Sequence, residues 1–352
     1  MGMVRLGLAD GAVFEGRCEG PWEPREGETV FTTGSTGYPQ GLTDPSYRGQ
    51  ILVFAFPLVG QYGVDEDALE SLRPQPEAVV VSRVPETGAG RRFREWLRRA
   101  GIPLMEGVDT RALVLHLRDR GTLRGRLGDG SLPRSSRFAP DLVASASCAV
   151  PETDPGEGPL AAVLDWGVKE SILRRLRERG VRVARLPWNA SAREVLALRP
   201  RGVLLGNGPG DPQDLLSGPV GTVRELLGRV PLFGICLGMQ VLALACGAAT
   251  EKLPFGHRGV NHPVREEATG RTLLTSQNHG YGVVDASAEG AGLTVTFRHL
   301  GDGSVEGIAS GAYPAWGVQF HPEAAPGPWD GAFLFDRFVA SLDEEGRKGA
   351  AA

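Results

Sequence analysis

Between residues 160 and 247, short apolar runs alternate with segments of helical period. AAVLDW, VRVARLP, GVLLGNG and VPLFGI are runs of strand length. VKESILRRLRERG, SAREVLALRP, DLLSGPVGTVRELLG and LGMQVLALACG carry apolar residues three and four apart. Strand and helix in strict alternation predict a parallel sheet with helices on both faces, because a parallel crossover needs a helix to bring the chain back. Runs that are apolar throughout, rather than every second residue, fit strands buried on both sides. Ser191 and Glu194 have capping-box spacing at the start of one of these helices. In such sheets, sites form where strands end at their carboxyl edge. Two glycine-rich turns, GNGPGDP (206–212) and GICLG (234–238), fall there.

Ahead of this region the pattern differs. VRLGLADGAVFEGR (4–17) alternates around an Asp-Gly turn and reads as a β-hairpin. Short apolar runs follow in ETVFTTG, QILVFAF and EAVVVSR. RRFREWLRRAG (91–101) and DTRALVLHLRDRG (109–121) then read as helices closed by glycine. PETDPGEGP (151–159) is proline, glycine and acid, and reads as a linker. The expected organisation is a mixed α/β domain over 1–150, a linker over 151–159, and an α/β domain over 160–352. A length of 352 residues suits two domains.

Composition narrows the function classes. A net charge of −4 argues against a nucleic-acid binder that relies on bulk charge. No apolar run approaches the roughly 20 residues needed to span a bilayer, and the first sixteen residues lack the apolar core of a signal peptide. The expectation is therefore a cytoplasmic protein that binds neither nucleic acid nor membrane. Cys18, Cys148, Cys236 and Cys246 show no paired spacing, which suits reduced thiols.

Cys236 stands between Gly234 and Gly238, where a strand must turn sharply into a helix. The turn is like the nucleophile elbow G-x-S-x-G with sulfur in place of oxygen. A cysteine there faces a helix N-terminus, which favours thiolate, and the N–H of Leu237 is placed to hold an oxyanion. A buried structural cysteine is the other reading. A thiolate nucleophile also needs a proton shuttle. His321 ends the apolar run AWGVQF, and Glu323, two residues on, points to the same side of an extended chain. A carboxylate so placed can orient the imidazole and stabilise its cation. His257 and His262 match no common zinc spacing, and no metal is expected. GNGPGDP lacks the G-K-[ST] ending of a phosphate loop. It suits close approach of backbone to a small substrate, with the N–H of Gly208 as a second oxyanion donor.

GNGPGDP, FGICLGMQ (233–240) and FHPE (320–323), in that order, resemble the class I glutamine amidotransferases, and QNHGYGV (277–283) adds a further block. The likeness runs over 160–343. It implies that Cys236 is the nucleophile, His321 the base and Glu323 its partner. It also implies that Gly208 and Leu237 form the oxyanion hole, while Gly210, Gln240, Asn278, Gly280 and Tyr281 line a glutamine pocket. TGSTGYPQGLTDPSYRGQILVFAFPLVGQYGV (33–64), VDTRALVLHLRDRGTLRGRL (108–127) and DWGVKESILRRL (165–176) look like the small-subunit family of carbamoyl phosphate synthetases. In that family the serine of D-P-S-Y, here Ser46, reaches the glutamine pocket. Tyr281 and Met239 depart from the commoner Phe and His. The resemblance implies a glutaminase that hands ammonia to a large subunit. ATP and magnesium would be handled by that partner, and no cofactor is expected in this chain, which has no Walker-type loop.

Overall fold

The computed structural model describes residues 2–20, 22–131 and 141–350, the last seven of these by backbone alone. The chain forms two compact units. One takes in the described residues up to 131 together with Leu253–Gly259. The other takes in Asp141–Lys252 and the chain from Val260 onward.

The first unit is a closed barrel. Its strands are β1 (Gly2–Leu8), β2 (Val13–Cys18), β3 (Arg25–Thr32), β4 (Gln50–Phe54), β5 (Ala78–Val80), β6 (Leu104–Glu106) and β7 (Leu123–Gly128), in spatial order 1-2-6-5-4-3-7. β1 and β2 form the hairpin expected from the Asp-Gly turn, in register from Gly2 opposite Cys18 to Gly7 opposite Val13. The β3–β4, β4–β5 and β5–β6 pairs are parallel, and β7 closes the barrel antiparallel to β1 and β3. Side chains separate by the strand period of two. Ile51 and Val53 join Leu6, Val80 and Met105 in one core, while Leu52 and Phe54 join Val79, Phe93 and Leu97 in another. Phe93 and Leu97 come from the amphipathic helix Gly88–Arg99, which starts at a Thr87 cap. Leu253–Gly259 belongs here because Thr122 N–H donates to Pro254 O at 2.8 Å, Thr33 N–H donates to Arg258 O at 3.1 Å, and Phe31 stacks on Phe255.

The second unit is built on a ten-stranded sheet. Its strands are β8 (Glu152–Thr153), β9 (Leu160–Leu164), β10 (Arg182–Leu186), β11 (Gly202–Leu205), β12 (Leu232–Ile235), β13 (Thr250–Glu266), β14 (Thr272–Val283), β15 (Leu293–His299), β16 (Val305–Ser310) and β17 (Ala315–Val318), in order 14-13-15-16-17-12-11-9-10-8. The stretch β10-β9-β11-β12-β17 is parallel, as the alternation predicts. β16, β15 and β13 extend it antiparallel on one side, and β8 caps it on the other. Both faces of the parallel strands are covered. Ala162, Leu164, Val203 and Leu205 enter one core, and Ala161, Val163 and Leu204 enter the other. The capping box at Ser191 and Glu194 forms as expected.

The division differs from the expected boundaries at 150 and 160. The second unit begins at Asp141 with the helix Leu142–Ala146, and it gives up Leu253–Gly259 to the first. The expected linker 151–159 carries β8, whose Glu152 and Thr153 pair with Arg185 and Ala184. Its polar composition suits a sheet edge as well as it suits a linker.

Candidate active site

The site assembles where β12 and β17 end side by side. β12 stops at Ile235, and the next residue, Cys236, has φ 55° and ψ −109° before the helix Leu237–Cys246 begins. Non-glycine residues with positive φ are uncommon and cluster at functional sites. The flanking glycines make the turn possible. A Cβ on Gly234 would lie 2.6 Å from the carbonyl carbon and oxygen of Gly238, and one on Gly238 would lie 2.1 Å from Leu205 O. Helix and strands thus approach closely enough to leave room for hydrogen only.

Cys236 is buried. Its thiol donates to Asn278 O at 3.6 Å, and Gln319 Nε2 donates to its sulfur at 3.7 Å. His321 arrives three residues beyond β17, pinned by its own N–H to Ser276 O at 2.9 Å. Its Nδ1 meets Glu323 Oε1 at 2.6 Å, so Nδ1 carries the proton and Nε2 is left for the cysteine side. Nε2 is buried without a nitrogen or oxygen partner. Burial alone would push the imidazole down, but the Glu323 charge and the Cys236 side chain outweigh it and raise His321 to about 10.

Glu323 is fully buried, which by itself raises a carboxyl. The Lys169 ammonium and the His321 ring overcome that and bring it down to about 2. Lys169 Nζ donates to Glu323 Oε1 at 2.9 Å and to Ala324 O at 2.8 Å. Ala324 and Ala325, with φ of 60° and 54°, carry the backbone away from the site just beyond Glu323. The Lys169 N–H in turn donates to Asn207 Oδ1 of the GNGPGDP loop at 3.2 Å.

Of the residues singled out from sequence, Cys236, His321 and Glu323 come together. Asn278 touches the sulfur through its carbonyl. Gln240 Nε2 donates to Tyr281 O at 2.8 Å and to Gln319 Oε1 at 3.0 Å. Gly280 lies between Asn278 and Tyr281 on β14. A Cβ on Gly208 would sit 2.1 Å from Trp166 O and 3.1 Å from Leu237 Cδ2, so Gly208 and Leu237 are neighbours. Gly210 has φ +96° and faces Leu142. Ser46 belongs to the first unit. It is buried in the 3₁₀ turn Pro45–Tyr47, with its N–H on Asp44 Oδ1 at 2.9 Å.

Lys169, Gln319 and Asn207 escaped the sequence reading. Lys169 left one signal: only three lysines, 169, 252 and 348, occur in a chain whose other cations are arginine. A compact ammonium suits a buried point contact where a planar guanidinium would not.

Fold and site together define the class. The family model described as glutamine amidotransferase class-I matches residues 162–341, so the second unit is a domain of that class. The model for the carbamoyl-phosphate synthase small chain, CPSase domain, matches residues 6–127. The chain is 47% identical over 355 residues to the carbamoyl phosphate synthase small chain of Listeria monocytogenes, covering 97% of this chain and 98% of that one. It is 43% identical over 365 residues to the pyrimidine-specific small chain of Bacillus subtilis, covering 99% and 98%. The small chain of Bacillus caldolyticus is 44% identical over 357 residues, covering 98% of each. This chain belongs to the carbamoyl phosphate synthase small chain family. No helix among the described residues is long and apolar enough to cross a membrane.

Proposed function

We propose that this chain hydrolyses glutamine through Cys236, His321 and Glu323 and passes the ammonia to a carbamoyl phosphate synthase large chain. The observation that carries the reading is the buried line of side chains from Lys169 through Glu323 and His321 to a cysteine on a strand-to-helix elbow. The Cys236 thiol passes its proton to His321 Nε2, and its sulfur attacks the side-chain amide carbon of glutamine. The carbonyl π electrons move to oxygen, and the N–H groups of Leu237 and Gly208 stabilise that oxyanion. His321 gives its Nε2 proton to the amide nitrogen, the C–N bond breaks, and ammonia leaves a γ-glutamyl thioester. The same nitrogen then takes a proton from water, whose oxygen attacks the thioester and releases glutamate and the sulfur. Glu323 holds the ring in the required tautomer throughout.

Gln240, Asn278, Gly280, Tyr281 and Gly210 form the glutamine pocket in this reading. ATP and magnesium act with bicarbonate on the large chain. The protein works in the cytoplasm, as part of a heterodimer that feeds arginine or pyrimidine synthesis. A chloroketone analogue of glutamine tests the assignment. It should label Cys236 and spare Cys18, Cys148 and Cys246, and a large ATP-binding chain should copurify. Labelling of another cysteine, or purification of an active chain alone, would overturn the corresponding half.

A further inference from the structure

We propose that Gln319 is a catalytic residue: its side-chain Nε2–H donates to the Cys236 sulfur and stabilises the thiolate that attacks substrate. The inference rests on the reading of Cys236 as the nucleophile, and it adds a donor to the sulfur beyond the triad.

The orientation of the Gln319 amide follows from its neighbours. A carboxamide presents a donor on one arm and an acceptor on the other. Gln240 Nε2 lies 2.8 Å from the backbone oxygen of Tyr281, which can only accept, so that arm of Gln240 must be its NH₂. The same NH₂ lies 3.0 Å from Gln319 Oε1. A reversed Gln319 would place two donors face to face. Gln319 therefore turns its oxygen to Gln240 and its NH₂ to Cys236 Sγ, at 3.7 Å.

The surroundings allow little alternative. Gln319 is fully buried and Gln240 nearly so. The Gln319 backbone is fixed by its N–H to Glu306 O at 2.9 Å. Gln319 and His321 follow the end of β17, the first held by its N–H on Glu306 O and the second by its N–H on Ser276 O. The strand end thus aims two groups at one sulfur: a fixed neutral N–H from 319 and a titratable ring from 321. The neutral thiol spends its own proton on Asn278 O. On ionisation that contact loses its proton and the Gln319 N–H becomes a charge-assisted hydrogen bond, about twice as strong as a neutral one. Gln240, the other partner of Gln319, sits in the proposed glutamine pocket, so the same amide links the substrate side to the sulfur.

The test uses two variants of the chain with its large partner, Gln319→Met and Gln319→Glu. Met keeps the length and volume and removes the donor. Glu keeps the shape and the acceptor towards Gln240, and it places an acid against the sulfur. Iodoacetamide alkylation of Cys236 and steady-state glutamine kinetics are measured for each. At pH 7 alkylation should slow about tenfold in Gln319→Met and further in Gln319→Glu, and the gap should close by pH 10, where thiols ionise without help. The kcat for glutamine should fall about tenfold in Gln319→Met, with KM changed less than twofold. A purely structural role would slow alkylation equally at both pH values, which overturns the proposal, as does native alkylation at pH 7 in both variants. A Cys236→Ala control separates the two claims. If it retains glutaminase activity, the nucleophile assignment itself has failed. If it is inactive while both Gln319 variants behave as wild type, only the role of Gln319 has failed.

Discussion

The ion pairs of the barrel and the Lys169–Glu323 pair of the second unit differ in depth. In the barrel, Arg5–Glu15 has both side chains more than half exposed, while Arg126–Glu26 and Arg94–Glu106 are largely covered but keep 11–19% of each side chain in water. In the second unit, Lys169–Glu323 has side chains 2% and 0% exposed and is joined to His321. A surface pair contributes little and costs little. A pair wholly removed from water gives up hydration worth several kcal/mol per ion, and its mutual attraction only repays that when the geometry is good. Such a pair is weak evidence of stability. It lies beyond β17, where the same Glu323 oxygen meets His321 Nδ1 at 2.6 Å.

The largest expected effect comes from breaking the buried pair. Lys169→Met leaves the Glu323 carboxylate without its strongest counter-charge and should cost about 3–5 kcal/mol, read by urea unfolding. Glutamine turnover should fall with it, because His321 loses a firmly ionised partner. A loss no greater than that of Arg5→Ala would erase the contrast between the units.

Dependence on pH sharpens the same point. The folded Glu323 carboxyl lies at about 2 against an ordinary 4.5, so its contribution is full above pH 4.5 and is lost as pH falls towards 2. His321 has the opposite sign. Raised from 6.5 to about 10, it contributes fully below pH 6.5 and its contribution is lost as pH rises through 10. Thermal melts across pH should show this network at full strength between 4.5 and 6.5. Glu323→Gln should flatten both arms relative to wild type, and arms of unchanged steepness would contradict the linkage.

A smaller effect is expected elsewhere. Arg5→Ala, in the exposed pair, should change stability by ~0.2–1 kcal/mol and leave glutaminase kinetics alone. A larger loss would show that the barrel relies on its surface charge after all.

These differences also decide what was readable from the residues. The parallel sheet was legible because β9, β11 and β12 bury both faces and so appear as unbroken apolar runs. The elbow was legible because two glycines are required by backbone approaching backbone, a constraint that leaves its mark within five residues. His321 and Glu323 lie two residues apart in the turn beyond β17, so their encounter is local. The closure of the barrel was not legible: β7 must find both β1 and β3, more than ninety residues away, and nothing within β7 names those partners. Lys169 and Gln319 were missed for a related reason. A lysine in VKES or a glutamine in GVQF reads as an ordinary polar residue until the fold places it against Glu323 or the sulfur. Burial is a property of the tertiary structure, and for these two side chains burial is what turns a polar residue into part of the site.

In the proposed function one cysteine on the elbow performs glutamine chemistry while carbamoyl phosphate is made elsewhere in the complex. Its most direct test is a pair of rates for Cys236→Ala bound to the large chain, one driven by glutamine and one by added ammonia. The glutamine-driven rate should disappear and the ammonia-driven rate should survive. Loss of both, or survival of both, would contradict it.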